Sequence, residues 1–181
     1  MILAALTPVI MAVLAFRFSR MMKGMNKKQW SNQKIVEKRL EVYDRMAPKL
    51  NDLCCFYCYV GNWKEITPLE VLDIKKDLDK DMQVYATLFS DDLSQKFKNF
   101  MLMCFVSISG WEHDEKIKSF YELRQENCKR WENSWIPYFD TKNVAEGTVL
   151  KERYDQLNES FKADLIVVQY DNHPGGNEVP A

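Results

Sequence analysis

The sequence predicts an all-α protein: one N-terminal transmembrane helix followed by a cytosolic antiparallel helical bundle of about five helices. Three observations carry that reading. The first sixteen residues, MILAALTPVIMAVLAF, hold no charge; apolar residues then recur every three or four positions through most of the chain; and helix start and stop residues separate those stretches. The 181 residues divide into an anchor over 1–22, a basic juxtamembrane linker over 23–34, a helical bundle over 35–170 and a tail over 171–181.

A helix rising 1.5 Å per residue needs roughly 20 residues to cross about 30 Å of hydrocarbon. Residues 1–16 fall short alone. Phe18, Met21 and Met22 extend the span, because Arg17 and Arg20 can send their charged heads to the lipid headgroups while their stems stay in the apolar layer. A cleaved secretory signal and a buried soluble helix are the alternatives. Against the signal, no basic residue precedes the run, no small-residue cleavage site is well placed, and the positive charge follows the run. The same asymmetry keeps the Lys and Arg side cytoplasmic, so the expected location is the inner membrane, single-pass, with the N-terminus outside and the C-terminal domain cytoplasmic.

The near-neutral total charge hides a polarity along the chain. Residues 17–45 carry nine Lys or Arg against three acidic groups, whereas the remaining 136 residues carry sixteen basic and twenty-three acidic. Arg17, Arg20, Lys23, Lys27, Lys28 and the interfacial aromatic Trp30 are therefore read as contacts to anionic headgroups, each charge contributing about 1 kcal/mol. A collar placed this close to a span points to a lipid bilayer and not to duplex DNA. Within the span, Ala5, Pro8, Ala12, Ala15 and Ser19 recur at alternating three and four spacing. Such small-residue seams let helix backbones approach in lipid, so a homo-oligomer is expected. Gly24 and Asn26 offer a break or hinge.

Val36, Leu40, Tyr43, Ala47, Leu50, Cys54 and Tyr57 form the next apolar seam, running through Pro48 as one kinked helix or two abutting ones, and closing at Gly61. Thr67-Pro68-Leu69-Glu70 is a capping box with proline at the first helical position, and the stripe Val71, Ile74, Leu78, Met82, Tyr85, Leu88 follows. Ser90 and Asp91 cap a third helix with Leu93, Phe97, Phe100, Met101, Cys104, Phe105 and Ile108, ended by Gly110. A fourth is expected from His113 and Asp114 to Pro137, carrying Ile117, Phe120, Tyr121, Cys128, Trp131 and Trp135. The fifth starts near Lys142 and uses Leu150, Tyr154, Leu157, Phe161 and Leu165; residues 166–170 read as a helical turn or a short strand, and the Pro-, Gly- and Asn-rich tail as disordered.

No catalytic residue set, metal site or cofactor is expected. A phosphate-cradling glycine loop, a nucleophile elbow and a zinc-protease helix motif are all missing. Cys55 and Cys58 form a C-x-x-C, but structural zinc needs a second ligand pair and the only histidines are His113 and His173, so the five cysteines are read as free, mostly buried thiols. The one polar and aromatic constellation kept as a ligand site is Lys129, Arg130, Trp131, Trp135 and Tyr138, because bases stack on aromatic faces while Lys and Arg meet phosphates. The competing reading buries the two tryptophans in the bundle and leaves the basic pair in solvent.

The first 46 residues, an apolar run, then RFSRMMKGMNKKQW, then QKIVEKRLEVYDRM, resemble small bacterial single-span proteins with a cytosolic helical domain. The layout is similar to the membrane effector of Hailong-type anti-phage defence systems. That resemblance implies a homo-oligomer whose assembled spans act as an ion channel or pore in the inner membrane, gated by a nucleotide or oligonucleotide ligand from a partner synthase. The alternative function is a passive membrane-anchored adaptor whose helical domain docks a cytosolic partner.

Overall fold

The computed structural model describes residues 3–106, 115–144 and 146–166, and within the first helix the side chains of residues 14, 16–22, 30 and 32 onward. The described chain is helical, with isolated β-bridges only. Helix α1 spans Leu3–Cys58, 56 residues, or roughly 84 Å at 1.5 Å per residue. It runs unbroken through Gly24 and Asn26, where a hinge was expected, and through Pro48, as one helix and not two.

Helix α2 spans Pro68–Tyr85 and starts as its capping box dictates: Thr67 Oγ1 accepts from the Glu70 amide, and the Glu70 carboxylate accepts from the Thr67 amide. Helix α3, Asp91–Cys104, is capped by Ser90, whose hydroxyl accepts from the Leu93 amide at 3.2 Å. A short α4, Glu122–Asn127, and a 3-10 turn over Asn133–Tyr138 lead to α5, Gly147–Ile166.

Four helices make the bundle, and their neighbours are antiparallel. Arg45 pairs with Asp81 and Lys49 with Asp77, which sets α1 against α2. Tyr43 packs on Phe161, and Cys58 reaches the Gly147 carbonyl, which sets α1 against α5. Ser160 bonds Asp92 while Tyr154 packs on Phe100, which sets α3 against α5. The second half of α1 is thus gripped from two sides. That explains why Val42, Met46, Leu53 and Phe56 are fully buried outside the expected seam, whereas Leu40 within it is exposed.

The stretch expected as a fourth helix folds otherwise. Ile117 bridges Phe105 antiparallel and Phe139 parallel, so three short extended segments cap the end of the bundle away from the free half of α1. Ile117 and Ser119 are buried while Lys116 and Phe120 are exposed, a period of two inside what reads as a period of three or four. Helix α4 keeps only six residues of that element, and α5 begins at Gly147, later than Lys142. Ile108, Gly110, His113, Asp114 and residues 167–181 lie outside the described residues.

Helix α1 ends on Tyr59, which adopts φ +56, and the Val60 amide turns back to the Cys55 carbonyl at 3.2 Å. Gly61 follows at φ +58, where an added Cβ would meet Cys55 Sγ at 3.2 Å.

Candidate functional site

The free half of α1 is the first candidate surface. From Leu14 to Trp30 every described side chain is exposed, including Phe16 at 65%, Phe18 at 61%, Met21 at 58% and Trp30 at 64%. Large apolar side chains left to water over several turns ask for another phase or another chain. Arg17, Ser19 and Arg20 share this exposure, with the Arg20 guanidinium 5.7 Å over the Phe16 ring and Lys34 Nζ 5.9 Å from the Trp30 ring. The side chains of Ala5, Pro8, Ala12, Ala15, Lys23, Lys27 and Lys28 lie outside the described residues. Among the described residues, no helix is long and apolar enough to cross a membrane.

The aromatic and basic run comes together only in part. Trp131 stacks on Tyr121 with centroids 6.3 Å apart and 18° between planes, meets Trp135 edge-on at 5.7 Å, and packs against Phe139 at 6.0 Å. Its indole N–H donates to Asn133 Oδ1 at 3.1 Å. Trp135 is buried. Arg130 turns away to donate to the Glu65 carbonyl and pairs loosely with Glu70 at 3.5 Å. Lys129 is exposed, and Tyr138 is half-buried with its carbonyl accepting from the Ile117 amide at 2.8 Å. This run is therefore a packed aromatic cluster under a basic edge.

Arg124 is the residue that sequence reasoning missed. It is 2% exposed, the largest fully buried side chain among the described residues. Its guanidinium donates to the Phe56 carbonyl at 2.5 Å and to the Phe120 carbonyl at 3.3 Å, and lies 3.7 Å from the Phe56 ring centroid and 4.4 Å from that of Tyr59. Nε has no partner. Burial pulls its pKa down, and the Tyr59 hydroxyl works against that. A cation here meets the Phe56 carbonyl in the last turn of α1, the negative end of the helix dipole. Its only signal in the sequence is an arginine among polar neighbours, which any exposed turn also carries.

Two cavities among the described residues are further candidates. One of about 320 Å³ lies between α2 and α3, with Phe97, Met101 and Phe105 at its floor and Lys75, Asp79, Lys98 and Glu115 around it. Lys75 Nζ donates to Asp79 at 2.6 Å and Glu115 at 2.8 Å, and stands 5.6 Å from the Phe105 ring. Burial lowers the Lys75 pKa, but the two carboxylates outweigh that and hold it raised. The other cavity, about 410 Å³ and open, is lined by Asp52, Glu65, Glu70, Asp73 and Asp77, with Lys49 and Arg130 answering part of that charge.

All five cysteines are unpaired thiols, Cys54 and Cys104 being buried. Among the described residues no group of three His, Cys, Asp or Glu side chains is placed to hold a metal. Family models, characterised proteins and solved structures offer no match to this chain.

Proposed function

We propose that this chain is a membrane-anchored oligomeric effector: residues 1–22 lie in the inner membrane, the collar meets anionic headgroups, and the helical bundle hangs on the cytoplasmic side. The supporting observation is the continuity of α1, whose described side chains from Leu14 to Trp30 are exposed while its later half threads through the centre of the bundle. Arg39 fastens the point of entry, donating to the Leu88 and Asp164 carbonyls at 2.5 Å each. A shift of the bundle helices is thus carried along an unbroken rod into lipid. One apolar helix cannot line a pore, so conduction requires several copies meeting through the Ala5, Pro8, Ala12, Ala15, Ser19 seam. A nucleotide-class ligand is the gating input this reading calls for, and Lys129, Arg130 and the Trp131 edge are the residues to vary in seeking it.

Dye leakage and membrane potential measured after expression of the full chain, beside a variant lacking residues 2–16, test the proposal. Leakage from the full chain alone is expected. Leakage that persists without the apolar run, or an intact chain recovered wholly as dissolved material, overturns it. A passive anchored adaptor is the second reading, favoured by exposed Val60 and Phe120 in the loops beyond α1 and α3 and by exposed Leu123 on α4. It gives membrane association with no conductance, and a partner crosslinked through those positions.

A further inference from the structure

The cavity between α2 and α3 has three kinds of wall, and the proposed function uses none of them. Its floor is apolar, built from Phe97, Met101 and Phe105, all buried. One side carries Asp79 and Glu115, each bonded to Lys75 and each partly exposed. Lys75 is itself 14% exposed at the side chain, so one ammonium is answered by two carboxylates and the trio keeps one negative charge. Lys98, on α3, brings a positive charge, is exposed, and ends no ion pair among the described residues. The volume of about 320 Å³ is at the small end of ligand clefts, which run from about 300 to 1,000 Å³.

An isolated anion would find Lys98 but also the surplus carboxylate, and an isolated cation the reverse. A molecule bearing both charges at one end of an apolar body satisfies every wall. We propose that this cavity binds a small amphipathic zwitterion of the free α-amino acid class, with an apolar or aromatic side chain. The ligand ammonium donates to Asp79 and Glu115, its carboxylate accepts from Lys98, and its side chain lies on Phe97, Met101 and Phe105. Both head contacts are charge-assisted hydrogen bonds at the edge of an apolar surface, where each discriminates strongly. The Lys75 ammonium is the positioning residue, since it holds the two carboxylates together.

The full chain in mild detergent, titrated by calorimetry with L-phenylalanine, L-methionine, 2-phenylethylamine, 3-phenylpropanoate and glycine, tests this. Saturable binding of phenylalanine or methionine is expected, with each single-charge analogue of phenylalanine and glycine weaker by about tenfold or more. Lys98→Gln and Glu115→Gln should each weaken the amino acid by a similar factor, Lys98→Gln leaving the amine unchanged and Glu115→Gln leaving the acid unchanged. No saturation by either amino acid below about 10 mM overturns the proposal. So does equal affinity for phenylalanine and its single-charge analogues, which reduces the cavity to an apolar trough. The ligand series on the native chain decides the matter even where a variant fails to fold.

Discussion

Arg124 shows what one buried cation does when no carboxylate answers it. Between two aromatic rings and two carbonyls, it serves the buried C-terminal end of a long helix, and removing it strips the Phe56 carbonyl of its side-chain donor. Arg124→Ala is expected to cost about 3 kcal/mol, through the cavity and the unmet carbonyl together. Arg124→Met fills the space but leaves the carbonyls, so about 2 kcal/mol is expected; chemical denaturation of the two variants separates volume from hydrogen bonding. Among the thiols, burial first and then its neighbour Cys58 push Cys54 from its ordinary value near 9 up to about 12. Burial also raises Cys104 and Tyr57 well above their usual ranges. These groups stay neutral in the fold but ionise in the unfolded chain. Their stabilisation is therefore complete below pH 9 and is lost as pH climbs toward 12. A melting temperature that declines across that window, and less steeply in Cys54→Ala, is the expected result; a flat profile contradicts the burial argument.

The strongest local instructions lie at the element starts. Thr67, Pro68 and Glu70 satisfy one another within four residues, and Thr67→Ala should lower stability by about 1 kcal/mol, measurable by thermal melting. The start of α3 is tied from further away. Asp164 on α5 accepts from the Ser90 amide at 2.7 Å, while its own carbonyl accepts from Arg39 on α1, so three elements meet where the free rod enters the bundle. Asp164 is buried, and Asp164→Ala leaves the Ser90 amide without that partner, a loss of about 2 kcal/mol by the cost of an unmet buried donor. The span from 115 to 140 is the opposite case. Its apolar spacing fits a helix, but the ends of α1 and α3 leave edges that need covering. Ile117 lies at the middle of that cover: on one side its amide donates to the Tyr138 carbonyl and its carbonyl accepts from the Asp140 amide, and on the other the Lys116 carbonyl accepts from the Val106 amide while the Lys118 amide donates to the Cys104 carbonyl.

For the whole molecule, the described part of the rod from Leu14 to Trp30 packs against nothing in the bundle. A chain lacking residues 2–30 is therefore expected to melt within a few degrees of the full chain while losing membrane association. A large drop in its melting temperature would mean that the rod is part of the core. The antiparallel order of the bundle explains why both charge pairs between α1 and α2, Arg45 with Asp81 and Lys49 with Asp77, recur one turn apart. They are largely solvent-facing, each worth about 0–1 kcal/mol, and they set register more than stability.

The primary sequence alone determined the all-α class, the caps of α2 and α3, the stripes of α2, α3 and α5, and the concentration of apolar and basic residues at one end. Each of these is local, written in neighbours one to four residues apart. Only the tertiary structure decided that α1 is one rod past Gly24 and Pro48, that its buried face widens where α2 and α5 grip it, that Trp131 is packed while Arg130 turns to Glu65, and that Arg124 is interior. Those outcomes depend on partners 50 to 70 residues away, such as Phe56 for Arg124 and Glu65 for Arg130. A side chain's burial is set by which surfaces meet it, and periodicity cannot name a surface that lies elsewhere in the chain.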